Sequence, residues 1–191
     1  MVAANIEPQE MDGILPGGIT WHWTQGEGLE VYRGDCHILS VVWNKGRIRM
    51  EHYDYDWDCD WDCGAITMEQ KFMLGRVATQ IMDMEQPVVK EMWRIAAPYA
   101  RMTLADTARK TTQSEFDDFF YDGNPVYYKT LTDCINLVRT QMGMQGEGWD
   151  EAFSLYSNVY TYADEVEQCI IETLRPYFAF EFVVKEPDED D

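Results

Sequence analysis

The sequence predicts an α+β fold: an N-terminal antiparallel sheet of three or more strands, then about five helices and a C-terminal strand. Three observations carry this. Residues 29–57 hold short β-rich runs separated by glycine-bearing turns, the pattern of consecutive hairpins. Residues 67–174 place apolar side chains at helical spacing, with capping and proline signals between the segments. Residues 177–185 return to a two-residue alternation. With 191 residues, 46% of them hydrophobic, the chain suits one domain over residues 1–185 with a sizeable core.

Residues 1–28 are rich in turn chemistry: Pro8, Asp12-Gly13, Pro16-Gly17-Gly18 and Gly26-Glu27-Gly28. They read as irregular, with a short edge strand at 19–23. Residues 29–33 form a strand broken by Gly34-Asp35, and residues 37–43 form an apolar, β-branched one. After the turn at Asn44-Lys45-Gly46, residues 47–57 alternate, with Ile48, Met50 and His52 opposite Arg47, Arg49 and Glu51. The sheet part is thus expected over about 19–63, with a bulge near His52–Tyr53 reconciling the two faces. Thr67-Met68-Glu69-Gln70 has the form of a capping box. A helix follows over 68–85, closed by Pro87, which starts the next helix at 88–97; Pro98 kinks that helix on its way to about 110. Ser114 caps a short piece at 115–121, and Asn124-Pro125 opens a helix to about 144. The last helix is expected over about 150–174, with Ala152, Leu155, Tyr156, Val159, Ala163, Val166 and Ile170 as its apolar stripe. The helical part is thus about 67–175, the last strand 177–185, and residues 186–191 an acidic tail.

The formal net charge is −20, from 35 acidic and 15 basic residues. A free nucleic-acid partner and an anionic membrane are both disfavoured, because each would be repelled. The charge is also segregated. Residues 51–63 hold six acids and residues 146–174 hold seven, neither segment with a lysine or arginine, whereas residues 71–110 hold seven bases against four acids. A surface that serves only solubility mixes both signs. Residues 1–15 carry acids and no basic segment followed by an apolar run, so no signal peptide is expected, and no apolar stretch approaches the length of a membrane span. The five cysteines, an odd and scattered set, suit reduced thiols in a cytoplasm.

The most one-sided stretch is residues 51–63. Asp54, Asp56, Asp58, Asp60 and Asp62 alternate with Tyr55, Trp57, Cys59 and Trp61. On an extended strand this puts a carboxylate every ~6.6 Å along one face. B-DNA carries a phosphate every ~3.4 Å of axis per strand, so the ladder can stand in for a nucleic-acid backbone in a lysine- and arginine-lined cleft. In size and charge, though in no motif, the chain resembles phage-encoded DNA-mimic inhibitors of restriction and CRISPR systems. The competing reading is an acidic edge strand that repels other edges. Glu165 and Glu167 are secondary candidates for the same partner.

Two further chemistries share these residues. Asp58, Asp60, Asp62 and Glu69 occupy positions 1, 3, 5 and 12 of a loop that resembles a Ca²⁺-binding EF-hand, although Cys63 stands where that loop needs glycine. Cys59 and Cys63 form a lone pair, short of the four ligands of structural zinc. No hydrolase, nucleotide or metalloprotease motif is found, and the abundant carboxylates with interleaved aromatics leave a carboxylate-based hydrolase as the enzyme alternative. The expected function is therefore non-enzymatic and cofactor-free: capture of a basic, nucleic-acid-binding protein in the cytoplasm (the host's, for a phage protein). An exposed sheet edge leaves room for a homodimer.

Overall fold

The computed structural model describes residues 6–44, 47–52, 66–121, 123–157 and 160–180. The fold is mixed α+β, as expected. Five strands form an antiparallel meander in the order β1-β2-β3-β4-β5: β1 (Glu10–Leu15), β2 (Ile19–Thr24), β3 (Leu29–Arg33), β4 (Cys36–Asn44) and β5 (Arg47–His52). Four α-helices follow: α1 (Met68–Lys110), α2 (Phe116–Phe119), α3 (Pro125–Met142) and α4 (Tyr162–Leu174).

Alternation builds the sheet. Ile19, Trp21 and Trp23 of β2 and Leu29 and Val31 of β3 point to the core, while Ile48 and Met50 of β5 pack against its edge. β4 is buried on both faces, from Ile38 to Trp43. The sheet begins earlier than expected, at β1. That strand buries only Leu15, so it carries almost no hydrophobic signal. Its Asp12-Gly13 pair reads as a turn, but Gly13 sits in mid-strand because a Cβ there would lie 2.3 Å from the Trp21 ring. The register irregularity falls at Val31/Tyr32, between β3 and β4; the bulge expected near His52–Tyr53 reaches outside the described residues.

The helices differ more. α1 is one helix of 43 residues, roughly 65 Å long, where two helices, the second kinked at Pro98, were expected. Pro87 and Pro98 lie inside it, and both are exposed. Each ring removes one i→i−4 hydrogen bond, but on the outer face water can take the freed carbonyl. The packed face runs on uninterrupted and holds the helix together. Its first half, through Leu74, Ala78 and Ile81, closes the sheet core. Its second half, through Met92, Ile95, Ala96, Ala100, Leu104 and Ala108, forms a second core with α3 and α4. The alanines let the neighbouring backbones approach closely. The expected capping box at Thr67 and Gln70 is present, and the Gln70 amide also donates to the Pro16 carbonyl at 2.7 Å, seating the helix on the β1–β2 turn.

α4 starts at Tyr162, not near 150. Thr161 caps it with Asp164, and Thr161 also bridges Glu27 as an isolated antiparallel pair. This tie to the β2–β3 connection stops a helix from extending backwards, so Tyr156 is left exposed. The C-terminal strand does not begin at 177: Arg175–Tyr177 is a 3₁₀ turn, and Phe178 docks edge-on against Phe116 and Phe119. Residues 181–185 lie outside the description. Among the described residues, no helix is long and apolar enough to cross a membrane.

Candidate functional site

α1 passes from one core to the other near Glu85. That carboxylate is 3% exposed. Its Oε1 accepts the Gly26 backbone N–H at 2.9 Å, while its Oε2 has no hydrogen-bond partner. Burial pushes its pKa up to about 7, against the opposing pull of the Gly26 N–H and the nearby Tyr162 hydroxyl and Trp43 indole. Glu85 stands at the next helical step after Leu74, Ala78 and Ile81, a position that local spacing reserves for an apolar side chain.

Beside it lies a half-open cavity of about 320 Å³ between α1, the end of β4 and α4. Trp43, Trp93 and Tyr160 give it aromatic walls; Trp43 and Tyr160 have ring centroids 5.7 Å apart and a 43° tilt. Asp83, Glu85, Glu165 and Glu172 supply carboxylates, and among the described residues no lysine, arginine or histidine lines it. Two of the wall's donors are committed to one carboxylate. The Tyr160 hydroxyl donates to Glu165 Oε1 at 2.8 Å and the Trp93 indole to Glu165 Oε2 at 3.3 Å. Acceptors are left over: besides Glu85 Oε2, the Gln168 Oε1 is buried without a partner. Arg175 pairs with Glu172 at 2.9 Å at the rim. Such a wall offers negative potential, ring faces and acceptors.

The residues singled out by sequence are placed as follows. Asp54, Asp56, Asp58, Asp60 and Asp62 lie outside the described residues, as do Cys59 and Cys63. Glu165 lines the cavity, half-buried. Glu167 is also half-buried on α4, accepting the Tyr127 hydroxyl at 2.6 Å, and burial raises its pKa. Both are therefore engaged internally instead of projecting freely from an acidic face. Glu69 is exposed in the first turn of α1. Among the described residues no group of three or more His, Cys, Asp or Glu is placed to hold a metal ion. Cys134 and Cys169 are free and buried, their thiols pushed up to about 12 and about 11 by burial. Cys36 is disulfide-bonded, which corrects the expectation of uniformly reduced thiols.

A second acidic concentration surrounds Glu27. Burial and the carboxylates of Glu30, Glu151 and Glu10 raise its pKa to about 7, opposed by His22. Sequence reasoning missed Glu85, Gln168 and the three rings. The one local signal was a glutamate in an apolar stripe.

Comparisons with models of known protein families, with curated proteins and with solved structures find no match for this chain.

Proposed function

We propose that the chain is an acidic binding protein that captures a basic partner. In its sharper form it is a nucleic-acid mimic of the phage anti-defence kind, acting in the cytoplasm. It occupies the nucleic-acid-binding cleft of a defence protein through Asp54, Asp56, Asp58, Asp60 and Asp62. It catalyses nothing and needs no cofactor.

The observation that supports this reading is carboxylate crowding that the protein's own cations do not relieve. Glu27 is pushed towards neutrality by burial and by three other acids. Several bases, meanwhile, pair with neighbours on their own helix: Arg94 with Glu91, Arg109 with Asp106, Lys129 with Asp133. Exposed pairs of this kind add little to stability, and the formal net charge is still −20. A field of that sign speeds encounter with a basic cleft and weakens with salt.

The test is displacement of DNA from purified restriction and CRISPR effector proteins. The parent protein should displace DNA from one of them at 50 mM salt and much less at 300 mM. A variant with Asp54→Lys, Asp58→Lys and Asp62→Lys should lose the effect with its melting temperature unchanged. Equal displacement by the variant removes the ladder as the contact, and no displacement from any effector removes the mimic reading.

A further inference from the structure

We infer that the cavity between α1, β4 and α4 is a binding site for an organic cation, an alkylguanidinium or alkylammonium group. The inference stands on the cavity and not on the aspartate ladder, so either can fail alone.

Three features of the wall point the same way. The first is charge: among the described residues four carboxylates and no cationic side chain line the space, and of the four Glu172 pairs with Arg175. The second is the ring set. Trp43, Trp93 and Tyr160 can offer π faces to a cation, and tryptophan is the strongest such partner. Met82 and Val89 add apolar surface for an alkyl stem. The third is the donor–acceptor balance. Trp93 and Tyr160 donate to Glu165, and the Trp43 indole faces Glu85. Gln168 Oε1 has no partner, and Glu85 Oε2, also without one, is faced by the Tyr162 hydroxyl, which is unpartnered too.

This balance separates the candidates. A neutral sugar draws nothing from the charge of the wall. Calcium takes six to eight oxygen ligands, and no such cluster is found among the described residues. Guanidinium and ammonium groups carry donors only, and aromatic rings suit them.

The cavity also explains where charge should move on binding. Glu85 is faced by the Gly26 N–H and Trp43 from the sheet side, and by Tyr160, Tyr162 and Glu165 from the α4 side. Asp83 on α1 and Glu172 on α4 complete the ring of acids. An entering cation favours the ionised Glu85, so occupancy should release a proton near neutral pH and be tighter at pH 8 than at pH 6.

The experiment uses the full chain, with tryptophan fluorescence and calorimetry as readouts. The probes are n-butylguanidinium, n-butylammonium, an acetylated and amidated Gly-Arg-Gly peptide, and neutral n-butylurea as the isostere. At least one cationic probe should bind, and n-butylurea at least tenfold more weakly. Glu165→Gln and Glu85→Gln should each weaken cation binding about tenfold, and Glu85→Gln should also abolish its pH dependence. The ladder variant with three lysines should bind within about threefold of the parent. Binding of the small cations assigns the site to a free ligand. Binding of the peptide alone assigns it to an arginine side chain of a partner. The inference is overturned if no cation binds up to 50 mM, if the neutral isostere binds equally well, or if neither glutamine variant weakens binding.

Discussion

Glu85 and Gly26, 59 residues apart, are joined by a hydrogen bond of 2.9 Å from the glycine backbone N–H to the carboxylate. The carbonyl of the same glycine accepts the Tyr162 N–H at 3.1 Å. One residue of the β2–β3 connection therefore holds both α1 and the first turn of α4, and it does so at the edge of the cavity.

Replacing Glu85 by glutamine should flatten the dependence of stability on pH. The folded-state pKa of about 7 lies above the ordinary 4.5, so the folded protein binds the proton more tightly than the unfolded chain. The associated stability is complete below about pH 4.5 and lost as pH rises through 7. For a side chain this buried, the effect is on the order of 2–3 kcal/mol. Glutamine keeps an oxygen for the Gly26 N–H. Urea unfolding should show the variant equal to the parent near pH 5 and more stable at pH 8 by about 2 kcal/mol. Glu27 adds a smaller slope of the same sign in both proteins. A constant difference across this range would mean that Glu85 is ionised throughout.

Gly26→Ala should destabilise the fold strongly. Gly26 has φ of +87°, and a Cβ there would lie 2.7 Å from the Tyr162 ring and 2.8 Å from Ala152 Cβ. The left-handed backbone costs about 1–2 kcal/mol for a non-glycine residue, and overpacking adds about 1–3 kcal/mol. Thermal unfolding should show a loss of roughly 3 kcal/mol. Gly34→Ala is the control: it has φ of +59° but nothing within 4 Å of the added carbon, and should lose only the backbone part.

Pro98→Ala should stabilise α1. The ring is exposed and the helix is continuous through it, so alanine can restore the hydrogen bond to the Arg94 carbonyl. The intrinsic gain of about 3 kcal/mol is offset by the freer unfolded chain, worth about 0.4–1 kcal/mol. A rise in melting temperature equivalent to about 2 kcal/mol is expected. A fall would show that a bend at Pro98 is needed to fit the second core.

Strands β2, β3 and β5 could be read from sequence because each turns one apolar face inward, and alternation records that directly. β1 could not, since its pairing is held by backbone hydrogen bonds and by Gly13 yielding space to Trp21. The prolines misled for a physical reason: a local rule penalises proline in a helix but does not know that Pro87 and Pro98 face water. The false start of α4 near 150 has the opposite origin. Residues 152–163 can sustain a helical stripe, but the bridge from Thr161 to Glu27 and the bond from Tyr162 to Gly26 set a later beginning. Glu165 could be flagged as an acid on α4, but not as a carboxylate bonded to Trp93 and Tyr160.

By itself the sequence determined the charge of the molecule, its segregation along the chain, the antiparallel meander and the presence of long helices. These depend on composition and on periods of two and 3.6 residues, which are local. Only the tertiary structure decided that a glutamate from α1, a tryptophan from β4, a tyrosine before α4 and a glutamate within it would enclose one space. Those groups meet because α1 serves both cores, and no local period in the chain records which distant surfaces a helix will touch.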